Sequence, residues 1–523
     1  MQARYLIIWI GLLSGCAATK TLRPADQNSL GLVTDERCGS VFQTTDDAIL
    51  SAARNYHSSV DDRNAFLATE TQAIAHVSDA QRPCWASAYE HHEKYDLFYA
   101  EFDDEGNATD VASGGEFQDS QLHFIESTLS DMVAKLDTSV TGLNIVVFTH
   151  GWHGSASATD DYSVELKAIL EDLTDQDEAI RGHRRFGGDS HKDASKAFRT
   201  VGIELAWRGD SVVLPPKLWD VWDRKVAAQT ISGGSVQELL AFLNQVYVDR
   251  SCKSVSRGTV TQENCGDVHL LSLGHSYGAL INFRALAPRL ESGLNVDQCE
   301  RISGFGDMTI LLNPAFEAQR YRALFNTALN RPVLRGDYLN NSGPPQNCKT
   351  TSGEAYAGAQ IPMLVTLQSA GDTATGTWMP LFLRIAQPFA STLSVQEARE
   401  ENHALGWVDA FQTHTLDFNS DDNAKDSCLN DAPSFCPFAE RRFGPKNTDQ
   451  ADPNGRIPLI LNYTPGGKSA ESLPAFFPLW SVKVNKQIMH DHDDIWNPQI
   501  VWLINRLFQD AYVQSEVKAG RLN

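Results

Sequence analysis

The stretch LNIVVFT, Leu143 to Thr149, constrains this chain more than any other. It is short, continuous and rich in β-branched residues, with no polar residue on alternate positions. A half-exposed strand would alternate, so this run reads as a strand buried on both faces, which is the environment of a parallel sheet covered on both sides. Its neighbours supply the covering layers. YDLFYAEF, Tyr95 to Phe102, is a strand-like run stopped by DDEGN. After it, QLHFIESTLSDMVAKL places Leu122, Ile125, Leu129, Met132, Val133 and Leu136 on one helical face. Beyond LNIVVFT, helical YSVELKAILEDL precedes strand-like TVGIELAW, helical SVQELLAFLNQVY precedes DVHLLSLG, and SYGALINFRALAPRL precedes MTILLNPAF and IPMLVTLQSA. Strands alternating with helices predict an α/β fold with a doubly wound, mostly parallel sheet.

The rest of the 523 residues organises around that pattern. Residues 17–85 are polar and aperiodic and read as a tether; the folded domain is expected over 86–523. From about Ser391 to Trp480 the periodicity lapses into Pro, Asp, Asn and Ser, and with the apolar run before it this reads as a long insertion at about 377–480 ahead of a last helix, PQIVWLINRLF. A formal net charge of -22 with no basic run excludes phosphate backbones as partners, because neutralising them needs clustered Lys and Arg.

At the N-terminus, Arg4 precedes the apolar run YLIIWIGLL, which ends in LSGC at Cys16. The run is too short to span a bilayer as a mature helix. It resembles the lipobox of bacterial lipoprotein signal peptides, which implies cleavage before Cys16, lipidation of Cys16, and a lipid-anchored location in the cell envelope, at the outer membrane on its periplasmic side. Export to an oxidising compartment leaves eight further cysteines able to pair, with Cys252–Cys265 and Cys428–Cys436 the short-range candidates.

The chemistry centres on LLSLGHSYGALI, which holds Gly274-His275-Ser276-Tyr277-Gly278. G-x-S-x-G occurs by chance roughly 0.2 times in a chain of this size and composition. Here, however, a strand runs into it and a helix runs out, the context of a nucleophile elbow. Flanking glycines let Ser276 adopt a strained turn, and the Tyr277 N–H is free to face an oxyanion. Upstream, the strand LNIVVFT ends in His150-Gly151-Trp152, where Gly151 permits close approach and Trp152 can offer a second N–H.

With those two motifs in this order the chain resembles the α/β-hydrolase superfamily, in particular its bacterial serine esterases and lipase-like members, over roughly Tyr95 to Phe508. AWRGDS, LWDVWDRK and LLNPAF also look like segments of hydrolases of this fold. The resemblance implies a Ser, acid, His order. Asp372, where IPMLVTLQSA gives way to a Gly-rich turn, is the expected acid, with Glu317 the alternative. The histidine is expected in MHDHDDIW, Met489 to Trp496: His492 is preferred because its loop runs into the last helix, and His490 stays open. His414, in the insertion, reads as structural. The cluster also invites a metal reading, but H-x-H-x-D-H is not completed, since Asp494 is not followed by His. No metal or cofactor is expected.

The resemblance thus implies carboxylic-ester hydrolysis through an acyl-enzyme on Ser276. A thioesterase or lysophospholipase on the same residues, or a non-catalytic lipid-anchored binding protein, are the alternatives. TWMPLFLRIAQPF, Thr377 to Phe389, carries enough apolar side chains either to accept an acyl chain or to pack as core.

Overall fold

The computed structural model describes Leu22 and residues 88–518, except 110–119, 137–141, 158–159, 185–197, 210–217, 251–267, 295–301, 303, 331–360, 387–393, 419–440, 444–458, 465, 467–472 and 474–476. All nine cysteines, and with them the lipobox and both candidate disulfides, lie outside the described residues, as does nearly all of the 17–85 tether.

Among the described residues eleven strands form one sheet: β1 (Tyr89–His91), β2 (Tyr95–Phe102), β3 (Leu143–Thr149), β4 (Arg199–Trp207), β5 (Val268–His275), β6 (Met308–Leu312), β7 (Leu364–Ser369), β8 (His414–Phe418), β9 (Arg441–Phe443), β10 (Leu459–Tyr463) and β11 (Leu479–Val484). Their order is β1-β2-β4-β3-β5-β6-β7-β11-β8-β10-β9. From β2 through β8 every pairing is parallel; the pairs β1–β2 at one edge and β8–β10 and β10–β9 at the other are antiparallel. The chain is therefore α/β with a mostly parallel sheet, as the alternation of runs predicts.

Among the described residues the helices are α1 (Gln121–Ala134), α2 (Asp161–Arg184), α3 (Leu218–Ile231), α4 (Ser235–Arg250), α5 (Tyr277–Leu294), α6 (Arg322–Leu329), α7 (Met379–Ala386), α8 (Val395–Asn402) and α9 (Pro498–Lys518). Alternate residues of one strand feed two separate cores. Leu143, Ile145 and Val147 of β3 join Leu122 and Ile125 of α1, Leu239 of α4 and Leu280 of α5. Val146 and Phe148 join Leu166 and Leu170 of α2 and Ile504 and Phe508 of α9. Two apolar faces per strand are why the central runs carry no polar alternation.

The stretch 377–480 departs from expectation. Instead of an irregular insertion it holds α7, α8, β8, β9 and β10 and reaches into β11, and its strands extend the same sheet. The reason is physical: β8 and β10 have only alternate residues fully buried and are five residues long, so their apolar signal is weak and the turn-forming residues around them dominate. His414, as expected, is a structural residue: it is buried on β8 between Tyr463 and Trp480, and burial pushes its imidazole down to about 3.

Candidate active site

The strand order reverses at β4-β3-β5, and the helices that follow β3 and β5 enter different cores. β3 and β5 are adjacent and parallel, so their carboxyl ends lie side by side. Both motifs singled out in the sequence end there.

Ser276 stands alone between β5 and α5 with φ 54°, a left-handed conformation that costs a non-glycine residue on the order of 1 kcal/mol or more. Three backbone bonds hold it: its N–H donates to the Leu312 carbonyl at 3.1 Å, and its carbonyl accepts from Ala315 at 3.2 Å and Leu280 at 3.4 Å. Leu280 is thus the first amide of α5 bound back to the elbow, so the Tyr277 N–H stands among the amides at the helix start that have no preceding turn to bind. The flanking glycines are there for space. A Cβ on Gly278 would lie 2.1 Å from the Thr149 carbonyl oxygen, and one on Gly274 would lie 2.9 Å from Ala279 Cα.

The loop after β3 packs directly on the serine. A Cβ on Gly151 would come within 2.9 Å of Ser276 Cβ, so the peptide leaving Gly151, whose N–H belongs to Trp152, runs beside the Ser276 side chain. His150 fastens this loop and does not face Ser276. Its Nδ1–H donates to the Gly151 carbonyl at 2.9 Å, its Nε2 accepts the Trp207 N–H at 3.0 Å, and Trp207 Nε1–H returns to the His150 carbonyl at 2.9 Å. Burial pushes the ring down to about 4, so it stays neutral and keeps that tautomer. Trp152 is anchored by its own indole, which donates to Asp220 at 2.9 Å.

The distant residues converge on the same spot. His492 Nε2 lies 2.8 Å from Ser276 Oγ, and His492 Nδ1 lies 2.9 Å from Asp372 Oδ2. With Nδ1–H donating to the carboxylate, Nε2 is left to accept the serine hydroxyl proton. Asp372 is fully buried and also accepts from the Thr375 N–H at 3.0 Å, the Thr375 hydroxyl and Gln368 Nε2 at 2.9 Å. Burial works against its charge, but the His492 imidazolium and these donors outweigh it and hold the carboxyl well below the usual range. Burial likewise opposes charge on His492, yet Asp372, with Asp493 and Asp491 nearby, lifts it to about 9.

The two alternates lie elsewhere. His490 turns to Asp494, which its ring and its backbone N–H both reach at 2.9 and 2.8 Å. Glu317 is held by Lys225 and Arg320 at 2.5 and 2.8 Å and does not meet His492. His275, His492 and Asp493 come close enough to suggest a cation site, but every ring nitrogen of the two histidines is already engaged.

Sequence reasoning missed the residues that aim the His492 loop. Asn313, left-handed at φ 42°, donates from Nδ2 to the carbonyls of His492 at 2.8 Å and Asp491 at 3.1 Å, while its Oδ1 accepts the Ser369 N–H at 2.8 Å. His275 donates from Nε2 to the His492 carbonyl at 2.9 Å and accepts the Tyr162 hydroxyl at Nδ1. Burial, then the His492 charge, pushes His275 down to about 3, so it remains a neutral brace. Gly371 is pressed against this loop: a Cβ there would sit 1.9 Å from the His490 carbonyl oxygen. The signal for Asn313 was present in LLNPAF, an Asn at a strand end ahead of Pro, where a left-handed turn suits Asn. No family model, curated protein or solved structure matches this chain, so its own geometry carries the functional argument.

Proposed function

We propose that the chain is a serine hydrolase of carboxylic esters on a doubly wound α/β-hydrolase fold. One observation carries the reading: a continuous Ser276–His492–Asp372 relay, with contacts of 2.8 and 2.9 Å, at the end of a strained strand-to-helix turn. Ser276 Oγ attacks the ester carbonyl carbon as His492 Nε2 takes its proton, and Asp372 stabilises the imidazolium. The Trp152 and Tyr277 N–H groups take the oxyanion. Collapse expels the alcohol with the proton from His492, leaving Ser276 acylated. Water, deprotonated by His492, then attacks the acyl-enzyme, releases the acid and restores the serine. A thioester would follow the same steps, and nothing in the relay selects against it.

The test is Ser276→Ala, read with 4-nitrophenyl acetate turnover and with fluorophosphonate labelling. Labelling should vanish and kcat should fall by on the order of 10⁴ or more. Wild-type turnover or labelling in the variant overturns the proposal, and a wild-type chain that does neither favours a binding protein.

A further inference from the structure

The described residues expose five large apolar side chains: Leu22, Val226, Trp378, Leu381 and Val395. Scattered exposure is ordinary. Here the contacts of each element place it at the same end of the sheet. Trp378 and Leu381 lie on the turn and helix α7 that leave the carboxyl end of β7 just after Asp372. Val226 follows Arg224 and Lys225, whose partners Asp104, Arg208 and Glu317 come just after the carboxyl ends of β2, β4 and β6. Val395 opens α8, whose following residues His403 and Ala404 pair with Ala318 and Glu317 beyond β6. All of these elements belong to the edge of the sheet that carries Ser276.

Leu22 completes the pattern and says what lies against it. Its N–H donates to both carboxylate oxygens of Glu101, at 3.1 and 2.9 Å, at the carboxyl end of β2. Glu101 is itself buried and accepts from Gln121 Nε2 at 3.0 Å. Cys16 is six residues before Leu22, and six residues reach at most roughly 20 Å. A lipid on Cys16 therefore brings the bilayer to within that distance of the Ser276 edge. The net charge of -22 removes electrostatic attraction to anionic lipid, leaving apolar insertion as the attractive force.

We propose that the carboxyl edge of the sheet docks on the bilayer that anchors the chain, with Trp378 and Leu381 entering the interface, and that the substrate is the ester of a membrane-resident amphiphile. The docking rests on lipidation of Cys16, and the substrate class rests on the serine-hydrolase reading above.

The experiment uses the full lipidated chain in phosphatidylcholine vesicles. Brominated acyl chains should quench tryptophan emission, and Trp378→Phe should remove a large part of that quenching; unchanged quenching overturns the docking. Trp378→Asp with Leu381→Asp should lower hydrolysis of 4-nitrophenyl palmitate held in the vesicles by about ten-fold or more, while 4-nitrophenyl acetate in water is turned over within about two-fold of wild type. An unchanged vesicle rate, or an equal fall in both, overturns the proposal. If wild type hydrolyses neither ester and takes no fluorophosphonate, the hydrolase reading and the substrate class fail, and quenching still decides the docking.

Discussion

Replacing Asp372 with Asn separates two contributions of the buried carboxylate. Against the pull of burial, Asp372, with smaller help from Asp493 and Asp491, lifts His492 from 6.5 to about 9, which corresponds to roughly 3 kcal/mol in favour of the imidazolium. That is the species formed when His492 takes the Ser276 proton, so losing the charge alone should slow acylation by roughly 300-fold. The amide also need not accept from Nδ1–H, so the tautomer with Nε2 free is no longer enforced, and the total loss should be on the order of 10⁴ in kcat. The pH profile gives a second reading. His492 acts as a base only when neutral, so wild-type kcat/KM should rise with pH through the raised pKa, giving an acid limb well above 6.5. In Asp372→Asn burial still pulls the imidazole down and only the more weakly acting Asp493 and Asp491 oppose it, so the limb should move down from its wild-type position even as the plateau falls. The assay is kcat/KM against pH with 4-nitrophenyl acetate, corrected for spontaneous hydrolysis. An acid limb that does not move, or a plateau within about ten-fold of wild type, refutes the role given to Asp372.

The two histidines of MHDHDDIW should behave differently. His492→Ala should abolish turnover, whereas His490→Ala, which removes only the ring's contact with Asp494 and keeps the backbone one, should leave kcat within a few-fold and cost about 1 kcal/mol or less of stability by thermal melting. Gly151→Ala has no room for its methyl against Ser276 Cβ and His275, so the oxyanion loop must move; kcat should fall by about 10²–10³ with a smaller change in KM. The His492–Asp372 pair should also show in stability. The raised His492 pKa contributes fully below the unfolded value of 6.5 and is lost as pH rises through about 9, so the wild-type Tm advantage over His492→Gln should shrink across that interval. A margin that grows with pH would contradict the pairing.

What the sequence made legible follows from how each feature is encoded. A strand covered on both faces is apolar at most positions of either face, so LNIVVFT and YDLFYAEF announced β3 and β2 to the residue even with Asn144, Asp96 and Glu101 buried among them. The elbow was legible for a similar reason: the turn leaves no space for a Cβ at Gly274 or Gly278, and this requirement is written locally. Strands β8 and β10 were not legible, because they bury only alternate residues and take their stability from pairing partners far away in the chain. The choice of His492 over His490 was not local either. Two residues apart in one loop, the rings are distinguished by what receives them: Asp494 takes His490, whereas Asn313 and His275 hold the His492 carbonyl and leave its ring between Asp372 and Ser276. Asn313 lies 179 positions from His492, and its contact with Ser369 ties the end of β6 to β7 and to the loop before α9. A single sequence can name the Ser, His and Asp that come together, since a relay of this kind restricts them to a few residue types. It cannot name the residues that aim them, because any donor of the right reach could hold that carbonyl.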